Sequence, residues 1–136
     1  MSLKFIMETM VKVNYKELTF FKKAHELTLE IYKITKEFPK EEKYGLCSQL
    51  QRASSSIGSN IAEGSVRSTV KDYKSFLHNA LGSAKEIEYQ LLLTKDLEYI
   101  SPRTYDRLLD ILDIIIGSLT NYMKKIDEKL QEKKKN

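Results

Sequence analysis

The sequence predicts an all-α fold, an antiparallel up-down-up-down four-helix bundle formed by a single domain of 136 residues. Four segments carry apolar residues at helical steps of three and four, and no segment shows a strand alternation of useful length. The 5 glycines and 2 prolines are too few for the turns of a β-sandwich or a nucleotide-binding α/β domain. Short connections between the four segments make neighbouring helices antiparallel.

The first helix is predicted from about Thr19 to Glu37. Thr19 is the candidate cap at its start. The helix ends at Phe38, because a residue that precedes a proline avoids the α region. Its apolar stripe consists of Phe20, Ala24, Leu27, Ile31 and Ile34.

The second helix is predicted from about Pro39 to Glu63. Pro39 suits the first turn of a helix, and Glu41 and Glu42 suit the positive end of the helix dipole. Gly64 is predicted to end the helix in the left-handed conformation that glycine adopts easily. The apolar stripe consists of Leu46, Leu50, Ala53, Ile57 and Ile61.

The third helix is predicted from about Val70 to Leu97. Ser68 or Thr69 is its cap, since Asp72 follows Thr69 by three residues as in a capping box. The stripe of this helix consists of Tyr73, Leu77, Ala80, Ala84, Ile87 and Leu91.

The fourth helix is predicted from the cap Ser101-Pro102 to about Leu130, beyond which it frays. Its apolar residues cover an arc of about 160°, whereas a helix in a monomeric bundle needs roughly 100°. The surplus edge, which includes Leu109 and Ile116, favours self-association, because an exposed stripe of that size promotes aggregation. The alternative is that the N-terminal arm covers this edge.

The chain divides into an N-terminal arm at 1–18, the bundle at 19–130 and a lysine-rich C-terminal tail at 131–136. The arm is apolar but poorly periodic, so either a strand-like or a helical conformation fits it. The net charge is +4, and residues 124–136 carry six lysines against three acidic side chains, a balance of +3. A basic balance indicates a nucleic-acid partner, whereas a lysine-rich end is also typical of a solubilising helix terminus.

The composition also indicates where the protein resides. Cys47 is the only cysteine, which excludes an internal disulfide and indicates a reducing compartment. No apolar run approaches the roughly 18 residues of a membrane span, and the first residues lack the apolar region of a signal peptide. We therefore expect a cytoplasmic protein with no membrane partner.

The residues indicate no catalytic, cofactor or metal site. His25 and His78 lack the glutamate three positions earlier that di-iron bundles require. His78 follows Arg67 by eleven residues, whereas some four-helix ribonucleases have histidine about four to six residues after arginine. Cys47 has no basic activator nearby in sequence, and neither a nucleophile elbow nor a phosphate-binding glycine loop occurs. We therefore expect no enzyme.

The segment from Gln49 to Arg67 is the most distinctive part of the chain. On a helix its polar side chains form one band beside the apolar stripe: Gln49, Arg52, Ser56, Ser59, Asn60 and Glu63. A polar atom beside a core costs about 1–3 kcal/mol if it lacks a hydrogen bond. The band is therefore expected to bond to the third helix, at Gly82, Ser83 or Glu86, with a ligand site as the alternative.

The same region carries a resemblance to a known family, which extends over about residues 19–126. The chain resembles the four-helix-bundle proteins encoded in intervening sequences of bacterial 23S ribosomal RNA genes. The resemblance rests on Ala24-His25-Glu26-Leu27, Phe38-Pro39, Tyr44-Gly45-Leu46, Gln49-Leu50-Gln51-Arg52-Ala53, Ser56-Ile57, Asn60-Ile61-Ala62-Glu63-Gly64, Arg67, Phe76-Leu77, Ala80, Gly82-Ser83 and Glu86. Its structural motif residues are Gln49, Ser56, Asn60, Glu63, Gly64, Gly82, Ser83 and Glu86.

The resemblance implies a homopentameric barrel of four-helix bundles. The family is similar to the accessory protein of diversity-generating retroelements, which binds nucleic acid and a reverse transcriptase. This chain has Gln51-Arg52 and Arg67-Ser68 at two places where the family often has paired basic residues. Each departure removes a phosphate contact.

We therefore expect a non-enzymatic homo-oligomeric scaffold that associates with RNA or DNA. The alternative is an adaptor that docks on a protein such as a reverse transcriptase without touching nucleic acid. A ribonuclease is the third hypothesis. The basic side chains expected to contact phosphates are Arg52, Arg67, Lys71, Lys74, Lys124 and Lys125.

Overall fold

A computed structural model describes residues 13–135, and this range contains four α-helices and no β-strand, as the all-α prediction requires. Short 3-10 turns at Tyr15–Glu17 and Lys40–Glu42 precede the first and second helices. Residues 1–12 of the predicted arm and Asn136 of the predicted tail lie outside the described residues. The helices are α1 (Thr19–Thr35), α2 (Leu46–Gly64), α3 (Val70–Asp96) and α4 (Pro102–Lys135).

The four helices surround one hydrophobic core. α1 and α3 each pack against both α2 and α4. The stripes predicted for the first three helices are buried, except that Ile34 is only partly buried against the core. The apolar periodicity of the sequence therefore identifies the packed faces correctly.

Contacts near the helix ends define two ends of the molecule. Tyr73, near the start of α3, shares a 2.9 Å hydrogen bond with Tyr122 in the second half of α4. The same Tyr122 ring packs against Phe20 at the start of α1. We call this the α2–α3 end, because the connection between those helices lies there. The α1–α2 end is opposite, where Tyr99 donates a 3.0 Å hydrogen bond to Glu42.

The predicted start of α2 is wrong by about seven residues. The chain forms a 3-10 turn after Pro39, and α2 begins only at Leu46, after Gly45 adopts φ −110° and ψ −110°. Phe38 is buried against Tyr99, so the chain must turn back over the core before the helix can begin. Thr19 is likewise not a cap: Leu18 precedes α1, and no side chain caps this start.

The predicted caps of α3 and α4 are confirmed. The Thr69 hydroxyl accepts a 3.1 Å hydrogen bond from the Asp72 N–H, and the Ser101 hydroxyl accepts one of 3.1 Å from the Thr104 N–H. A side-chain oxygen thereby bonds one of the free N–H groups at each helix start.

α4 is longer than predicted. It continues to Lys135 instead of fraying near Leu130, since its last turns contain good helix formers and no glycine or proline. Lys129 and Glu132 also pair along this surface at 3.4 Å. The described part of the predicted tail is therefore an extension of α4.

The apolar edge of α4 is largely covered within the chain. Leu109 and Ile116 are partly buried against the core. They continue the row of Tyr105, which faces α3 because the Lys95 ammonium lies 4.4 Å from its ring centroid. Self-association therefore does not follow from these two side chains. Ile114, on another side of α4, is 44% exposed.

None of the helices in residues 13–135 combines the length and the apolar character needed to cross a membrane.

Candidate nucleic-acid interface

The polar band of α2 bonds to α3 through one pair of serines. Ser56 and Ser83 share a hydrogen bond of 3.0 Å. The Asn60 amide donates to the Ser56 carbonyl at 2.8 Å and to its hydroxyl at 3.1 Å. The expected bond to Ser83 is therefore confirmed. Glu86 instead accepts from Gln90 of its own helix, at 3.2 Å.

The other members of the band point away from the contact between α2 and α3. These side chains are exposed and make no hydrogen bond or ion pair within the described residues: Gln49, Arg52, Ser59 and Glu63. The band thus divides into a bonded edge that joins two helices and an outer edge that faces solvent.

Gly64 is required by close packing and not by a left-handed turn. Its φ is not positive, and it is the last residue of α2. A Cβ atom at this position would lie 2.8 Å from the Cβ of Phe76 and 3.2 Å from Cδ1 of Tyr73. The predicted role of Gly64 as a left-handed stop is therefore wrong. The glycine lets the end of α2 approach α3.

Arg67 lies in the connection that follows Gly64. Its guanidinium is 4.5 Å from the centroid of the Phe76 ring, which is a cation–π contact. Its Nε atom is buried and has no hydrogen-bond partner. The half-buried Arg67 is thus held against α3 by its planar face. Its terminal N–H groups bond to no described side chain.

Lys71, Lys74 and Lys124 form a group at the α2–α3 end, which we call the lysine cluster. Lys74 is paired with Asp127, and this ion pair links α3 to α4. Lys71 lies one turn from Lys74, and Lys124 lies one turn from Asp127. Lys71 and Lys124 are exposed and have no ion-pair partner in the described residues.

Of the two remaining candidates, Lys125 directly follows Lys124 but lines a different cleft, and Arg52 lies farther along α2. Lys125 is exposed and lines a cleft of about 260 Å³ between α4 and the start of α1, beside Thr19 and Tyr122. Arg52 is exposed on α2, twelve residues before Gly64 and therefore about 18 Å from the α2–α3 end. The six predicted residues do not form one surface.

A tyrosine pair, with Tyr73 buried and Tyr122 partly buried, joins α3 to α4 at the α2–α3 end. The hydroxyls of Tyr73 and Tyr122 are 2.9 Å apart. Burial raises the pKa of Tyr73 far above its ordinary value, and the neighbouring Tyr122 raises it further. Burial also raises the pKa of Tyr122. Both hydroxyls therefore stay protonated at neutral pH and add no charge at this end.

The groups considered for catalysis are poorly placed for it. Burial raises the pKa of the Cys47 thiol, and the Glu42 carboxylate raises it further, which disfavours the nucleophilic thiolate. His25 and His78 are exposed, and the His25 ring stacks on Phe21. Within residues 13–135, no three His, Cys, Asp or Glu side chains lie where they could share a metal ion.

The fold and these contacts define a four-helix protein in which the Ser56–Ser83 bond and the close approach at Gly64 join α2 to α3. The 23S rRNA-intervening sequence protein family matches residues 16–121, most of the chain, and the chain belongs to this family. It is similar to a solved protein of unknown function from the S23 ribosomal protein family of Bacteroides thetaiotaomicron. The two are 28% identical over 78% of this chain and 99% of that chain, with a TM-score of 0.71. No curated protein matches the chain.

Sequence reasoning misses the partners of two candidate residues. Phe76 under Arg67 and Asp127 beside Lys74 are identified only by the structure. Lys74 and Asp127 lie 53 positions apart, and only the alignment of α3 with α4 brings them together. The antiparallel order predicted from short connections is the one signal that could have found this pair.

Proposed function

We propose that this protein is a non-enzymatic homo-oligomeric scaffold that associates with RNA or another nucleic acid through basic surface side chains. The observation that carries the proposal is the lysine cluster, in which Lys71 and Lys124 are exposed and unpaired among the described residues. Phosphate groups are the natural partners of such free ammonium groups. The net charge of +4 supports the same class of partner.

The proposed architecture is an up-down-up-down bundle with antiparallel neighbours. Contacts at both ends of α3 and α4 support it: Tyr73 bonds to Tyr122, and Lys95 lies over Tyr105. The equivalent contacts between α1 and α4 are Phe20 with Tyr122, and Glu30 with Arg107 at 2.8 Å.

The proposed assembly is a homopentamer. Large apolar side chains on several helices support self-association, because they remain exposed in the single chain. Five copies, each with a charge of +4, would carry +20, so repeated weak phosphate contacts would act together. The exposed side chains are Leu29 (58%), Tyr89 (63%), Leu92 (40%) and Ile114 (44%).

Light scattering on the purified protein tests the assembly. We expect a mass of about five chains of 15.8 kDa across micromolar concentrations. A mass of one chain throughout that range would contradict the pentamer and remove the multiplied charge.

An electrophoretic mobility shift with a structured RNA tests the nucleic-acid partner. We expect binding at about 50 mM salt that weakens strongly at about 200 mM, because phosphate contacts release counterions. No binding at either salt concentration, or an affinity that does not change with salt, would contradict the proposal. Capture of a protein partner that survives nuclease treatment, without any RNA shift, would favour the adaptor instead.

A further inference from the structure

A basic cleft opens at the α1–α2 end, opposite the lysine cluster. Its volume is about 630 Å³, which lies within the usual range of ligand sites. Three lysines, Lys36, Lys40 and Lys43, line it, and none of its described lining residues is acidic. The sequence predicts the first turns of a helix from Pro39 and gives no sign of a cleft there.

The three ammonium groups of the cleft are available to an anion. Lys36, Lys40 and Lys43 are exposed and form no ion pair with any residue in 13–135. The same segment contains three glutamates, but Glu42 is already engaged: it accepts hydrogen bonds from the Tyr99 hydroxyl and the Leu46 N–H. The segment is neutral in sum, yet the charge that faces the cleft is positive.

An exposed aromatic ring stands beside these lysines. Tyr44 is 88% exposed, the largest exposure of any large apolar or aromatic side chain in the described residues. The Lys43 ammonium lies 5.4 Å from the ring centroid. A phosphate bound by Lys43 would thus bring its own base close to the ring. Lysines beside an exposed aromatic ring are the combination that binds unpaired nucleotides, because every base can stack on the ring.

The wall of the cleft carries fixed polar groups. The Gln51 amide donates a 3.0 Å hydrogen bond to the Thr35 hydroxyl, which donates in turn to the Ile31 carbonyl at 2.8 Å. This chain of bonds orients Gln51 and leaves its amide oxygen free. That oxygen and the exposed Ser48 hydroxyl are suited to the polar edge of a base.

We propose that this cleft binds one unpaired nucleotide of a single-stranded RNA or DNA segment. The base stacks on Tyr44, and the adjoining phosphates contact Lys36, Lys40 and Lys43. The inference goes beyond the proposed function, since it concerns the opposite end of the molecule and a strand without secondary structure. It stands or fails independently of binding at the lysine cluster.

Fluorescence anisotropy with a labelled oligouridylate of about six nucleotides, at about 50 mM salt, tests the cleft. We expect Tyr44→Ala to weaken binding roughly 5- to 100-fold, and Tyr44→Phe to keep wild-type affinity because it keeps the ring. Tyr32→Ala is the matched control, as Tyr32 is 45% exposed on α1 and is not among the residues that line the cleft. Far-UV circular dichroism checks that each variant is folded.

Charge is tested separately in the same assay. The triple variant Lys36→Ala/Lys40→Ala/Lys43→Ala should bind the oligonucleotide more weakly and with a shallower salt dependence. Lys22→Ala/Lys33→Ala, which removes two exposed lysines of α1 that are unpaired among the described residues, should leave oligonucleotide binding unchanged. Competition with uridine monophosphate distinguishes a strand from a free nucleotide as the ligand. If millimolar concentrations are needed to displace the oligonucleotide, the ligand is a strand. If micromolar concentrations displace it, the cleft binds a free nucleotide and the proposal is overturned.

Two results would overturn the proposal outright: no oligonucleotide binding by the wild-type protein, or equal affinity for wild type and Tyr44→Ala. The mobility shift with structured RNA separates this failure from that of the proposed function. If structured RNA shifts while the oligonucleotide does not bind, only the cleft proposal fails. If the oligonucleotide binds in a Tyr44-dependent manner while structured RNA does not shift, only the lysine cluster fails as an interface.

Discussion

The contact between α2 and α3 and the lysine cluster use their side chains differently. In the contact, Ser56 bonds to Ser83, and Gly64 packs directly against Phe76. In the cluster, Lys71 and Lys124 extend into solvent without a protein partner among the described residues. Ser56, Ser83 and Gly64 of the family motif therefore hold two helices together, while Lys71 and Lys124 belong to no motif.

Gly64→Ala gives the largest expected loss of stability at the contact between α2 and α3. The new methyl group would lie 2.8 Å from the Phe76 Cβ, which cannot swing aside as a flexible chain end can. We expect a loss of about 1–3 kcal/mol in the free energy of unfolding, measured by urea denaturation.

Gly82→Ala is the matched control for this prediction. Gly82 is also a helical motif glycine, but a Cβ atom there would have nothing within 4 Å. We expect a gain of about 0.5–1 kcal/mol, because alanine is the better helix former. If both variants lost the same free energy of unfolding, the close approach of Gly64 to Phe76 would not explain the destabilisation.

High pH tests the tyrosine pair separately from the lysine cluster. The pKa of Tyr73 is raised above its ordinary value of 10.0, so the unfolded chain loses this proton first as pH rises. The stabilising contribution is complete below pH 10 and is lost above it, by up to about 1.4 kcal/mol per pH unit for each such group. Tyr73→Phe/Tyr122→Phe should show a smaller loss between pH 9 and 11 in thermal unfolding. A loss as steep as that of the wild type would contradict the burial of these hydroxyls.

A double-mutant cycle on Ser56 and Ser83 measures the polar part of the contact between α2 and α3. The two hydroxyls bond at 3.0 Å, so we expect a coupling free energy of about 0.5–1.5 kcal/mol from Ser56→Ala, Ser83→Ala and the double variant. If the losses in free energy of unfolding were additive, the two serines would stabilise the protein separately. Their hydrogen bond would then not be what joins α2 to α3.

Asp127→Asn is the smallest expected change in stability and the sharpest probe of the cluster. Asp127 pairs with Lys74 at a partly exposed site, so its loss should cost only about 0.2–1 kcal/mol. The Lys74 ammonium becomes free, so affinity for structured RNA should rise. Asp113→Asn, an exposed aspartate on α4 without an ion pair in the described residues, controls for the change in net charge. The same rise in both variants would rule out a specific role of Lys74.

Local and periodic features of this fold were predictable from the sequence. The apolar stripes identify the buried faces, because a helix repeats its face at steps of three and four. The Thr69 and Ser101 caps were also predictable, since each depends on residues within one turn. The bond between Ser56 and Ser83 followed from the need of a polar band beside a core to find partners.

Features set by contacts between distant segments were not predictable. The late start of α2 depends on Phe38 reaching Tyr99, and the need for Gly64 depends on Phe76. The left-handed residue before α4 is Glu98, with φ 63°, in a position where glycine is the ordinary expectation. Among the candidate contact residues, the sequence does not reveal that Lys74 is paired or that Arg67 lies over a ring.

The salt dependence of structured-RNA binding tests the central claim most directly. We predict that Lys71→Ala/Lys124→Ala lowers the slope of log affinity against log salt by about 2, since each lysine that neutralises a phosphate contributes about 0.9. Lys22→Ala/Lys33→Ala, which removes two exposed, unpaired lysines of α1, should leave the slope close to that of the wild type. Identical slopes for the two double variants would contradict the assignment of the lysine cluster as the nucleic-acid interface.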